Sequence, residues 1–294
     1  MMQGRFAPSQ SESGQAQGGA RGLRVFVRRH PLASFLVLAY GLSWSWWVPM
    51  ALSGARVRVG TGHPSHFPGL LGPALAAVVV TTVLEGMAGL HDLLRRMSRW
   101  HLRSRWFIVA VASPLGMMLV VMLVLKGVGR SPRIADFGRM NGVPELSPIV
   151  MWLVLTLCNG FGEETGWRGF ALPHLQKLYG PLAGTLMLAG VWAGWHAPMF
   201  FILETYRSLG LAMLPGFVLG LAAGAVLLTW LYHRTGGSIL AVAIWHGSFN
   251  LATATQAAQG ILAAVVSTMV MFWGTALAII DIRARRRGAP SVLV

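Results

Sequence analysis

The chain has a single cysteine, Cys158, and only nine acidic residues among 294. One thiol forms no intrachain disulfide and assembles no cysteine-based zinc motif, so Cys158, inside an apolar run, reads as a small apolar filler. Charged residues of both signs make up only 11 % of the chain, while 54 % is hydrophobic and the mean hydropathy is +0.59. That balance belongs to a polytopic membrane protein. The net charge of +15 raises nucleic acid as a partner, but no soluble basic domain exists to hold one. The arginines lie instead between apolar runs, where they set orientation against an anionic leaflet. No internal repeat is visible, and no His-Glu-x-x-His element occurs to favour a metal centre.

Apolar runs lie at about 31–53, 67–84, 106–125, 148–162, 181–203, 209–232, 237–255 and 258–281. They predict an all-α fold of about eight transmembrane helices with short amphipathic surface helices. The first run is longer than a signal-peptide core and ends in Trp44, Trp46 and Trp47, as an interfacial belt requires, so it reads as a retained span. Residues 1–30 are expected to form a disordered, basic tail, 31–282 a single transmembrane domain and 283–294 a second basic tail. In 91–100, Leu and Met alternate with arginines, which predicts an amphipathic helix on an anionic lipid surface. Residues 170–179, including His174, are expected as a short surface helix, and His63 and His66 as exposed loop residues. Gly216, Gly220 and Gly224 stand four apart, a spacing that predicts close approach of another helix. Eight spans put both termini on one side. Assigning that side as cytoplasmic gives it seventeen of the twenty-four Lys and Arg residues, so a multi-pass plasma-membrane protein with both ends inside is expected.

The chemistry centres on Gly160-Phe-Gly-Glu163-Glu164-Thr-Gly-Trp-Arg168-Gly169, two carboxylates and a guanidinium at the end of an apolar run. A charge well inside a bilayer costs roughly 2.5–3.5 kcal/mol on insertion scales, so an intramembrane carboxylate pair is by default a functional site. Successive helical residues point about 100° apart, and Glu163 and Glu164 therefore face different ways. Arg168 shares a face with Glu164, which makes those two a supporting pair and leaves Glu163 to face a cavity. His196 lies on the fifth run, one turn after Trp192, which would wall the imidazole, and Pro198 should bend the helix beside it. His246 and Asn250 share a face of the seventh. A carboxylate, two imidazoles and an amide on three runs can hold a water molecule, take its proton and stabilise an oxyanion. The same groups would also suit a packing network in a membrane scaffold or immunity protein, or a proton-coupled transporter. Against the transporter, the first half of the chain has no matching polar set.

Glu163-Glu164-x-x-x-Arg168, Trp192-x-x-x-His196 and His246-x-x-x-Asn250, in that order, resemble the motifs of the CPBP family. This is the CAAX-protease and bacteriocin-processing (Abi) group, which includes the eukaryotic type II CAAX prenyl endopeptidase. The resemblance covers about 148–255; the second motif often begins with Phe, where this chain has Trp192. It implies an intramembrane endopeptidase acting on a membrane-associated or lipidated protein or peptide, with its cavity open to the cytoplasmic side. It further implies Glu163 as the water-activating carboxylate assisted by His196, His246 and Asn250 at the scissile carbonyl, and Glu164 with Arg168 bracing the site. In a metalloprotease version of the family chemistry, His196, His246 and Glu163 would hold Zn2+ and leave a fourth position for water. In a metal-free version Glu163 is itself the base. A carboxylate and two imidazoles serve either.

Overall fold

The computed structural model describes residues 22, 24–100 and 104–294; of the disordered tail expected over 1–30, residues 1–21 and 23 lie outside them and 24–29 are helical. Among the described residues, six helices are long and apolar enough to cross a bilayer. They include α1 (Pro31–Leu52), α2 (Gly72–Met97), which the short helical turn Phe67–Leu70 leads into, and α3 (Ser104–Gly127). The expected fourth and seventh spans fall on other helical segments. The fourth is a run over 148–179 made of α4 (Pro148–Leu155), a π-helical segment (Thr156–Phe161), α5 (Gly162–Gly166), a second π segment (Trp167–Ala171) and α6 (Leu172–Tyr179). After α7 (Pro181–Trp195) and α8 (Leu214–Arg234), the seventh is the shorter α9 (Ile239–Thr253), and α10 (Ile261–Arg286) closes the bundle.

Why these segments pack as they do is visible in the spacing of small residues. On α1 the buried positions Phe35, Ala39, Ser43 and Trp47 recur every four residues, a stripe with small side chains at its centre. Gly72 at the start of α2 sits so close to that stripe that a Cβ would stand 2.1 Å from Ser43 Oγ. The run 148–179 is held in the same way. A Cβ on Gly160 would stand 2.4 Å from the Ala243 carbonyl oxygen of α9, and one on Gly166 2.5 Å from the Pro73 ring of α2.

The two ends of the bundle are tied differently. At one end the loops knit together: Val57 bridges Leu203, Val59 bridges Asn141, and Met140 bridges Thr255. Side chains tie the other end, where Arg96 Nη1 donates to the Gly169 carbonyl at 2.9 Å and to Tyr232 Oη at 3.0 Å.

Several expectations are corrected. The segment 91–97 lies on the stretch of α2 that follows a break at Gly86, whose φ of 66° and ψ of −153° leave the helical range, so it is set off from the spanning part. Its Leu93 is fully buried against the backbone position of Gly169, while Leu94 is exposed. Residues 170–179 continue the fourth helical run and do not form a separate surface helix. His66 is buried beneath the knitted loops, its carbonyl accepting from Trp47 Nε1 at 2.8 Å, and burial pushes its imidazole pKa down to about 3. At Gly216, Gly220 and Gly224 a Cβ would meet nothing within 4 Å, because their stripe faces away from the neighbouring helix. Close approach comes instead at Gly274 of α10, where a Cβ would stand 2.1 Å from the Ala223 carbonyl oxygen of α8.

Candidate active site

Glu163 and Glu164 occupy the single turn of α5 between the two π segments. A π turn admits one extra residue and is frequent at functional sites. Because the helical run continues to Tyr179, Glu163 lies mid-run and not at its end. His196 lies at a matching distance from the start of α7, so the depth separation implied by the expected span limits disappears.

The two carboxylates have different surroundings. Glu164 is fully buried, and its Oε1 accepts from Arg168 Nη1 at 2.8 Å and faces His246 Nδ1 at 2.8 Å. Arg168, also fully buried, lays its guanidinium over the Trp192 ring, with Cζ 4.7 Å from the ring centroid. Glu163, 1 % exposed, touches no cation within hydrogen-bond distance among the described residues. Its partners are neutral donors: Trp192 Nε1 reaches Oε2 at 2.7 Å and Asn159 Nδ2 reaches Oε1 at 3.4 Å.

His196 caps α7. Its backbone N–H turns to the Ala193 carbonyl, one residue short of the α-helical partner, and the Trp192 carbonyl accepts from the ring Nδ1 at 2.7 Å instead. Pro198 prevents a straight continuation, so the helix breaks here before resuming at Met199. A ring that donates from Nδ1 to a carbonyl carries its lone pair on Nε2. The ring stands edge-on to Trp195 and Phe217, at 4.9 Å and 5.6 Å between centroids. His246 stands edge-on to Trp192 at 5.6 Å. Asn250, one turn beyond on α9, is half-buried, and among the described residues its amide makes no hydrogen bond.

The fold therefore joins Glu163, Glu164, Arg168, Trp192 and His246 by direct contact and ties His196 to them through the Trp192 carbonyl; among the described residues the Asn250 side chain makes no hydrogen bond to them. One residue and one contact were missed in the sequence. Asn159 lies one turn before Glu163, a spacing that could have flagged it, whereas nothing in the sequence linked the Trp192 indole N–H to Glu163. Tyr206, on the short helix Glu204–Leu209, packs on Phe217, and burial followed by the Glu163 charge pushes its phenol pKa up. A zinc site would need three donors converging. Among the described residues no three His, Cys, Asp or Glu side chains are grouped to hold a metal ion, so the set His196, His246 and Glu163 does not fit zinc as placed.

An all-helical membrane bundle with buried carboxylates against imidazoles on separate helices holds the groups that an intramembrane hydrolase needs. The family model described as Type II CAAX prenyl endopeptidase Rce1-like matches residues 145–252. The chain is also 24 % identical over 213 residues to CAAX prenyl protease 2 of Methanococcus maripaludis, covering 70 % of this chain and 77 % of that protein. Over these residues the chain is similar to membrane endopeptidases of the CAAX-protease type.

Proposed function

We propose that the protein hydrolyses a peptide bond of a membrane-associated protein by metal-free chemistry, with Glu163 as the base. The observation that carries this reading is the division between the carboxylates: Glu164 is occupied by Arg168 and His246, while Glu163 has neutral donors only. An ion-paired carboxylate braces; one held by neutral donors keeps its capacity to take a proton.

In this reading a water molecule lies between Glu163 and Nε2 of His196, each accepting one of its hydrogens. Glu163 takes the proton as the water oxygen attacks the scissile carbonyl. His246, tied through Nδ1 to Glu164, presents Nε2 in its doubly protonated form to the developing oxyanion, and the Asn250 amide offers a second donor. The tetrahedral intermediate collapses as the C–N bond breaks and Glu163 returns its proton to the leaving amine. The CAAX-type names of the matching family model and relative favour a protein ending in a prenylated Cys-aliphatic-aliphatic-Xaa sequence as substrate. The excess of Arg and Lys in the loops assigned to the inner side supports cytoplasmic termini in the plasma membrane, against anionic lipid.

The test is cleavage of a fluorogenic prenylated CAAX peptide by purified protein in water enriched in oxygen-18, beside an unprenylated control. One heavy oxygen in the new carboxylate and a preference for the prenylated peptide are expected. Absence of cleavage of either peptide would oppose the reading.

A further inference from the structure

Trp192 meets the site in more ways than the packing wall expected of it. Its indole N–H donates to Glu163 Oε2 at 2.7 Å, its ring face carries the Arg168 guanidinium at 4.7 Å, and its ring stands at right angles to His246 at 5.6 Å between centroids. Its main-chain carbonyl holds His196 Nδ1 at 2.7 Å. Phenylalanine, frequent at this place in the related motif, would supply a ring and a carbonyl but no N–H.

We propose that Trp192 is a positioning residue that selects which oxygen of Glu163 reacts. The proposal rests on Glu163 being the base, and it adds that the reacting atom is Oε1. Oε2 is committed to the indole at a distance typical of charge-assisted bonds. Oε1 has only Asn159 Nδ2 among the described residues, at 3.4 Å, near the limit at which hydrogen bonds weaken, and that contact yields readily to water. The indole is fixed in turn, because the guanidinium above it is clamped to Glu164. One residue thus orients both groups that hold the water, its side chain acting on Glu163 and its main chain on His196.

The two halves separate in Trp192→Phe, which keeps the carbonyl and loses the N–H. Loss of orientation by a fraction of an ångström to one ångström costs up to about 100-fold in rate. With the fluorogenic prenylated peptide, Trp192→Phe is expected to lower kcat about 10- to 100-fold while KM stays within about twofold, since the substrate contacts are untouched. Should the variant fail to fold, benzothienylalanine at position 192, the same shape with sulfur in place of N–H, gives the same comparison. An independent readout needs no turnover: the indole 1H–15N resonance absent from Trp192→Phe is expected to shift in Glu163→Gln. Full kcat in folded Trp192→Phe, with Glu163→Gln inactive, overturns the role of Trp192 alone. An indole resonance indifferent to Glu163→Gln overturns it too. Cleavage retained by Glu163→Gln overturns both this proposal and the reading beneath it.

Discussion

Replacing Arg168 by methionine leaves the fully buried Glu164 with His246 as its remaining partner. Breaking a buried ion pair by removing one member costs about 3–5 kcal/mol, because the remaining charge stays desolvated. For a chain of this size each kcal/mol corresponds to roughly 2–4 °C, so Arg168→Met is expected to lower the apparent melting temperature by roughly 6–20 °C. Removing both charges together relieves the penalty, since apolar replacements of similar volume are often neutral. Glu164→Leu with Arg168→Met should therefore melt above the single variant, short of wild type because His246 Nδ1 then loses its acceptor at about 1–3 kcal/mol. That double variant should fold and yet fail to cleave, its imidazole no longer anchored. The assay is a thermal ramp in detergent followed by intrinsic fluorescence, with cleavage measured on the same preparations. An Arg168→Met protein that melts within about 2 °C of wild type, less than a single kcal/mol, would refute the reasoning, because no dry ion pair could then exist at this place.

Gly274→Ala should destabilise by about 1–3 kcal/mol, since its Cβ would meet the Ala223 carbonyl oxygen at 2.1 Å, whereas Gly220→Ala, with nothing within 4 Å, should leave the melting temperature unchanged or slightly raised. Paired thermal ramps compare them. For His66 the folded pKa of about 3 lies below the unfolded value of about 6.5, so the unfolded chain binds the extra proton as pH falls. Stability should drop by about 1.4 kcal/mol per pH unit between those two values from this residue alone, and His66→Phe should flatten that part of the stability profile; an unchanged slope would count against burial of the neutral ring. Chelation should leave cleavage intact and elemental analysis should find substoichiometric zinc, given the donor arrangement; loss of activity restored by added zinc would reverse that conclusion.

The sequence carried the helical class and the partition of the carboxylates because both rest on local geometry. Hydropathy over windows of a span's length marked α1, α3 and α10, and the four-residue offset of Glu164 and Arg168 put them on one face. It misplaced what depends on contacts between distant segments. Hydropathy ended the fourth run at the Glu pair, whereas packing of Gly160 and Gly166 against other helices carries the helix through polar residues to Tyr179. The Leu and Arg pattern of 91–100 looks alike whether an apolar side chain meets lipid or protein, and it did not show that Leu93 packs on Gly169. Glycine spacing showed a stripe on α8 but not which way it faced. The Trp192–Glu163 bond joins residues 29 apart in sequence, and no local periodicity announces it.

Cleavage of the prenylated fluorogenic peptide by Glu163→Gln, matched to wild type for folded protein in the same detergent, tests the central claim most directly. The amide keeps the size of the side chain and can still accept from Trp192, so the melting temperature should move by only a few degrees while kcat falls by about 10²–10⁴. A Glu163→Gln protein cleaving at the wild-type rate would contradict the account.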